Sequence, residues 1–162
     1  MAEKFFDITQ IKDIASAILS YSMVTPRAKD KARVVGLYGD LGSGKTTLTK
    51  EMAHMLGIQE GVASPTFVIE RKYPIEQKSF EATNGKTINV PYTQLIHIDA
   101  YRIEKEEELL ALGWEEIMGN KDNLIFIEWP VNAKGILPDD HIQVRLTHVD
   151  ETHRSIVIQE CT

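Results

Sequence analysis

Between residues 39 and 46 the chain reads Gly39-Asp40-Leu41-Gly42-Ser43-Gly44-Lys45-Thr46, with the apolar run Val34-Val35-Gly36-Leu37-Tyr38 before it and a helix-forming segment behind it. This is the spacing of a phosphate-binding loop in its required setting, a strand that enters and a helix that leaves. Glycines let the backbone turn tightly and bring successive N–H groups against an anion. Lys45 is placed to reach the β- and γ-phosphates as a point charge, and Thr46 to offer its hydroxyl to Mg²⁺. A helix starting near Lys45 adds unpaired N–H groups and the positive end of its dipole. The loop therefore makes a nucleotide the first ligand to consider, with Asp40, Leu41, Gly42, Ser43, Gly44, Lys45, Thr46 and Thr47 as the binding residues.

The rest of the chain limits what is built around that loop. At 162 residues with 43% hydrophobic and 26% charged content, it has the size and balance of one compact domain over residues 1–162. A net charge of −6 and a pI near 5.4 exclude a body that is basic throughout, so nucleic-acid contact would need a local patch. The one cysteine, Cys161, has no internal partner for a disulfide. No segment approaches eighteen consecutive apolar residues and Met1–Asp7 lacks a leader pattern, so the expectation is a cytoplasmic protein with no membrane partner.

Periodicity divides the chain into alternating elements. Ile11, Ile14, Ala15, Ile18 and Leu19 fall at helical spacing within 8–20, and Asp7 with Gln10 forms a capping-box pattern. Residues 21–31 read as a surface connection into a strand over 33–38. The helix after the loop runs through Leu48, Met52, Met55 and Leu56 and stops at Gly57. Two neighbouring strands follow at 67–73 and 94–99, joined by a connection whose Asn84-Gly85 marks a hairpin turn. Residues 104–112 form an acidic amphipathic helix ended by Gly113, a short helix is possible at 114–118, and Leu124-Ile125-Phe126-Ile127 reads as a buried central strand. Residues 141–147 and 155–159 complete a final hairpin.

A phosphate loop needs a second carboxylate site, and two acids end apolar strands: Asp99 after 95–98 and Glu128 after 124–127. In a mainly parallel sheet the C-terminal strand ends gather at the ligand crevice. Either acid can hold Mg²⁺ directly or through water while the other orients or deprotonates an attacking water. Thr66, in Ser64-Pro65-Thr66-Phe67, is a candidate sensor of metal or γ-phosphate. Trp129, next to Glu128, either packs at the strand end or stacks on a base or partner. His97 reads as structural, and Arg102 as a salt-bridged arginine in preference to a phosphate ligand. Asn120-Lys121-Asp122-Asn123 lacks the final aspartate of the guanine-reading motif, and Asp99-Ala100-Tyr101-Arg102 lacks the glycine of a GTPase switch, which favours ATP. A small-molecule kinase would need an acceptor site and an arginine-rich lid that the chain does not display. A non-hydrolysing, nucleotide-dependent binding module is the other alternative.

Taken in order, the loop at 39–47, Ser64-Pro65-Thr66-Phe67, His97-Ile98-Asp99-Ala100-Tyr101-Arg102 and Ile127-Glu128-Trp129-Pro130 resemble the TsaE family, formerly called YjeE. The resemblance implies an α/β, P-loop NTPase-like three-layer fold with a mixed, mainly parallel central sheet and added antiparallel strands. It also implies a Mg²⁺-dependent ATPase that acts with TsaB and TsaD, and with tRNA indirectly, in forming threonylcarbamoyladenosine at position 37 of tRNAs reading codons that start with A. By the same resemblance Lys45 and Thr46 bind phosphate and Mg²⁺, Thr66 belongs to a switch-like segment, Asp99 takes the Walker B role, and Glu128 with Trp129 lies at the rim of the site. Residues 77–91 stand out as an insertion relative to that pattern.

Overall fold

The computed structural model of the chain describes residues 2–59 and 69–160. Thr66 and its neighbours Ser64, Pro65 and Phe67, and also Cys161, lie outside the described residues.

The order of elements follows the alternation of the sequence. A short strand β1 (Lys4–Asp7) leads through a 3-10 turn (Ile8–Gln10) into α1 (Ile11–Val24). Then come β2 (Arg33–Tyr38), α2 (Lys45–Met55), β3 (Glu70–Pro74) and the hairpin β4 (Ser79–Glu81) with β5 (Thr87–Asn89). The second half holds β6 (Gln94–Asp99), α3 (Glu106–Ala111), α4 (Trp114–Met118), β7 (Asn123–Glu128), β8 (Ile142–His148) and β9 (His153–Glu160). Among the described residues seven strands make one sheet in the order β1-β9-β8-β2-β7-β6-β3, with β4 and β5 as a separate pair.

Within the sheet β8, β2, β7 and β6 run parallel, and β3, β9 and β1 add antiparallel edges. The parallel block is buried on both faces, which is why β2 and β7 read as continuous apolar runs. Alternate residues feed two cores. Val35, Leu37, Leu95, Leu124, Phe126 and Val144 pack under α1 and α2. Val34, Ile96, Ile98, Ile125 and Ile127 pack against Leu109, Trp114, Ile117 and Met118 of α3 and α4. The result is three layers, helix, sheet and helix.

Two local features differ from the sequence reading. The first helix continues to Val24, so the connection begins at Thr25. Ser22 and Thr25 donate their hydroxyls to the carbonyls of Ile18 and Tyr21, which keeps polar residues within the helical path. Pro26 then forces the preceding residue into the extended region, and the helix stops there. The second is β1, where only Phe6 of four residues is buried, too short a signal for periodicity to reveal. The capping box at Asp7 and Gln10 forms as its pattern requires, over the 3-10 turn.

The hairpin at 79–89 belongs to the core under α1 and α2. Phe80, Ala82, Val90 and Tyr92 are all buried there. Gln77 donates its amide to the carbonyls of Met55 and Ser79, pinning the hairpin to the end of α2. The hydroxyl of Ser16 on α1 accepts from the Thr83 N–H at 3.0 Å. The hairpin therefore braces α1 and also α2, the helix that follows the phosphate loop. Phe80→Ala is expected to destabilise the fold by about 3–5 kcal/mol in a denaturant titration, with an unchanged slope. A loss below about 1 kcal/mol would mean that the hairpin is an accessory to the core.

Candidate functional site

The loop begins where β2 ends. Gly39 sits at φ +146°, and a Cβ there would come within 2.4 Å of the Leu146 carbonyl oxygen and 2.6 Å of Ser43 Oγ. Only glycine fits that approach. Gly44 at φ +102° caps α2, so the first turn of the helix, with its unpartnered N–H groups, opens at Lys45. Ser43 is buried and its hydroxyl has no partner among the described residues. Asp40 and Leu41 are exposed at the loop tip, which leaves the backbone as their contribution to a ligand.

Lys45 is folded back on its own loop. Its Nζ donates to the Gly39 and Asp40 carbonyls at 2.7 and 2.9 Å and lies 4.2 Å from the centre of the Trp129 ring. Burial lowers its pKa below the ordinary lysine value, opposed by the charges of Glu128, Asp99 and Asp40. The same three acids therefore act on the cation that the sequence assigns to phosphate.

The two strand-end acids are register partners. Asp99 of β6 lies opposite Glu128 of β7, so both leave the sheet on the face covered by α2. Their surroundings differ. Asp99 is half-buried and accepts from the Tyr101 N–H at 3.0 Å. Glu128 is 2% exposed, and both of its oxygens are engaged. Oε2 accepts the Thr46 hydroxyl at 3.1 Å, and Oε1 lies 2.8 Å from His97 Nε2, which donates to it because a carboxylate only accepts. Glu128 is thus the acid that touches the loop threonine, while Asp99 keeps solvent access.

His97 reads as structural from the sequence, and its one side-chain hydrogen bond among the described residues goes to a site carboxylate. The signal was present in the alternation: two residues before Asp99, it shares that face. Trp129 was identified, but its backbone was not legible. It stands at φ +56° and ψ +47°, a left-handed conformation that costs a non-glycine residue about 1–2 kcal/mol. That turn lays its ring over Lys45 and 5.0 Å from the ring of Tyr101.

Beside the loop opens a cavity of about 350 Å³, lined by Gly42 to Thr47, by Phe6, Ile8 and Ile11 from the first strand and helix, and by Arg154. Its walls are apolar on one side and polar at the loop, the usual division of a small-ligand site. Among the described residues no three His, Cys, Asp or Glu side chains converge into a ready-made metal centre. The donors at hand are oxygens, the Thr46 hydroxyl and the Asp99 carboxylate. That set fits Mg²⁺, a hard ion that keeps waters and phosphate oxygens in its shell. Among the described residues no helix is long and apolar enough to cross a membrane.

The chain is similar to known proteins over most of its length. The profile of the family described as threonylcarbamoyl adenosine biosynthesis protein TsaE matches residues 8–156. The tRNA threonylcarbamoyladenosine biosynthesis protein TsaE of Haemophilus influenzae is 34% identical over 131 residues, covering 81% of this chain and 73% of that protein. The protein of the same name from Rickettsia typhi is 34% identical over 128 residues, covering 78% and 77%. The crystal structure of Bacillus subtilis YdiB superposes with a TM-score of 0.66 at 23% identity, over 99% of this chain and 87% of that one, which establishes the fold.

The contact between Lys45 and Trp129 has a spectroscopic consequence. In a Trp114→Phe background, where Trp129 is the only tryptophan, Lys45→Ala removes the cation from the ring face and should shift the emission wavelength and intensity. Unchanged emission would place the ammonium elsewhere.

Proposed function

The chain belongs to the TsaE family, and from that membership and the geometry of its loop we propose that it is a Mg²⁺-dependent ATPase of tRNA threonylcarbamoyladenosine biosynthesis. The observation that carries the reading is the cluster at the strand ends: Lys45, Thr46 and Glu128 meet where a phosphate loop turns into α2. The phosphates of ATP would displace the Gly39 and Asp40 carbonyls as partners of Lys45. The anion gains the ammonium and the N–H groups of the first helical turn. The cavity behind Thr47 would take the nucleoside against Phe6, Ile8 and Ile11, with Arg154 at its edge, a reading supported by its apolar lining.

Thr46 and Asp99 would hold the metal, Asp99 directly or through water. Bound Mg²⁺ would neutralise phosphate charge and polarise the group that is transferred. Glu128 accepts the Thr46 proton and so turns the hydroxyl lone pairs away from itself. Asp99, the acid with solvent access, is suited to orient a water. Thr66 is the remaining candidate for sensing the γ-phosphate. Trp129, already over Lys45, covers that cation from one side and limits the access of bulk water to it.

The acidic balance of the chain favours a division of labour in which TsaB and TsaD, and not this chain, contact the tRNA. Hydrolysis would be slow until those partners complete the site, and would reset the complex between rounds of modification at position 37 of tRNAs reading codons that start with A.

ATP turnover measured for the chain alone and with TsaB plus TsaD tests the proposal. Slow basal turnover that rises at least about tenfold with the partners, and is lost in Lys45→Ala, is the expected result. That rise corresponds to about 1.4 kcal/mol of barrier. Fast turnover that the partners leave unchanged, or full activity in Lys45→Ala, would overturn it.

A further inference from the structure

The histidine behind Glu128 has a use that its position in the core does not require. His97 lies on β6 between Ile96 and Ile98 with 0% of its surface exposed. A leucine or methionine there would fill the space but leave Glu128 Oε1, in its buried setting, without the donor at 2.8 Å. The histidine is itself kept at a cost, because Nδ1 is buried with no partner among the described residues, a state that native structures seldom keep without a reason. Its other nitrogen donates to Glu128 Oε1 at 2.8 Å, and the opposite oxygen of that carboxylate takes the Thr46 hydroxyl at 3.1 Å. The chain of contacts therefore runs from His97 through Glu128 to Thr46, and every link has a fixed direction: the imidazole N–H and the hydroxyl donate, and the carboxylate accepts.

Resting on the nucleotide reading above, we propose that His97 is a positioning residue for the metal. It fixes the rotation of the Glu128 carboxylate, which in turn holds the Thr46 proton and keeps the hydroxyl lone pairs directed at the Mg²⁺–phosphate site. Glu128, one step removed from Thr46, orients it, and losing such a partner typically costs about 10- to 100-fold in metal affinity, so freeing Glu128 by loss of His97 is expected to cost as much as that and no more. His97 touches neither phosphate nor metal. Its effect is confined to the part of nucleotide binding that depends on Mg²⁺.

That restriction separates positioning from packing. ATP affinity is measured by calorimetry in excess Mg²⁺ and again in EDTA, for the wild-type chain and for H97Q, H97L and H97N. The ratio of the two affinities is the Mg²⁺ enhancement. Gln carries an amide N–H close to the reach of the imidazole Nε2, whereas Leu fills the space without a donor. Wild type and H97Q should share one enhancement, H97L should lose about 10- to 100-fold of it, and all three should bind ATP equally in EDTA. H97N, polar but too short to reach Glu128, should lose as much as H97L and stands in for it if H97L does not fold. An undiminished enhancement in H97L or H97N would overturn the inference. So would an equal loss in Mg²⁺ and in EDTA, the mark of a purely structural histidine. A wild-type chain that binds no ATP in either condition would overturn the nucleotide reading itself and this inference with it.

Discussion

A carboxylate withdrawn from water must be satisfied by its neighbours, because an unpaired buried charge costs several kcal/mol. Glu128 is such a group, at the end of a strand buried on both faces. Its two oxygens reach the first turn of α2 through Thr46 and the interior of β6 through His97. The requirement to satisfy one acid thereby ties together three separate elements, two parallel strands and the helix that leaves the phosphate loop. Lys45, close enough to feel the same charge, is held to the loop carbonyls beside it.

The wider fold keeps those elements in register. Parallel pairing sets Leu37, Glu128 and Asp99 side by side at the C-terminal ends of the strands, so the loop after β2 meets the acids of β7 and β6. On the far side of α2, α1 and the hairpin at 79–89 close the core, with Gln77 fastened to the helix end at Met55. Strain collects at the mouth. The left-handed Trp129 borders Lys45, and local strain at such a point is commonly retained where a ligand must be met by a prearranged surface.

Much of this was written in local sequence. The spacing of the phosphate loop demands a strand before it and a helix after it, and β2 and α2 take those places. Asp99 and Glu128 were recognisable because each closes an apolar run, and strand ends gather at the crevice of a parallel sheet. What escaped depends on contacts between distant residues. The hydrogen bond from His97 to Glu128 needs β6 to lie beside β7, which no local pattern states. β1 offers a single inward residue, Phe6, and forms because β9 presents an edge to pair with. The turn at Trp129 follows from packing against Lys45 and Tyr101, since tryptophan has no intrinsic preference for that conformation.

In the proposed function the lysine now resting on its own loop becomes the phosphate ligand, beside a threonine held by a buried glutamate. The most direct measurement is a crystal structure with a non-hydrolysable ATP analogue and Mg²⁺. Lys45 Nζ is expected to leave the Gly39 and Asp40 carbonyls for the β- and γ-phosphates, while Thr46 keeps its hydrogen bond to Glu128 and turns its oxygen to the metal. A nucleotide bound away from the loop, or Lys45 still on those carbonyls with the analogue in place, would contradict it.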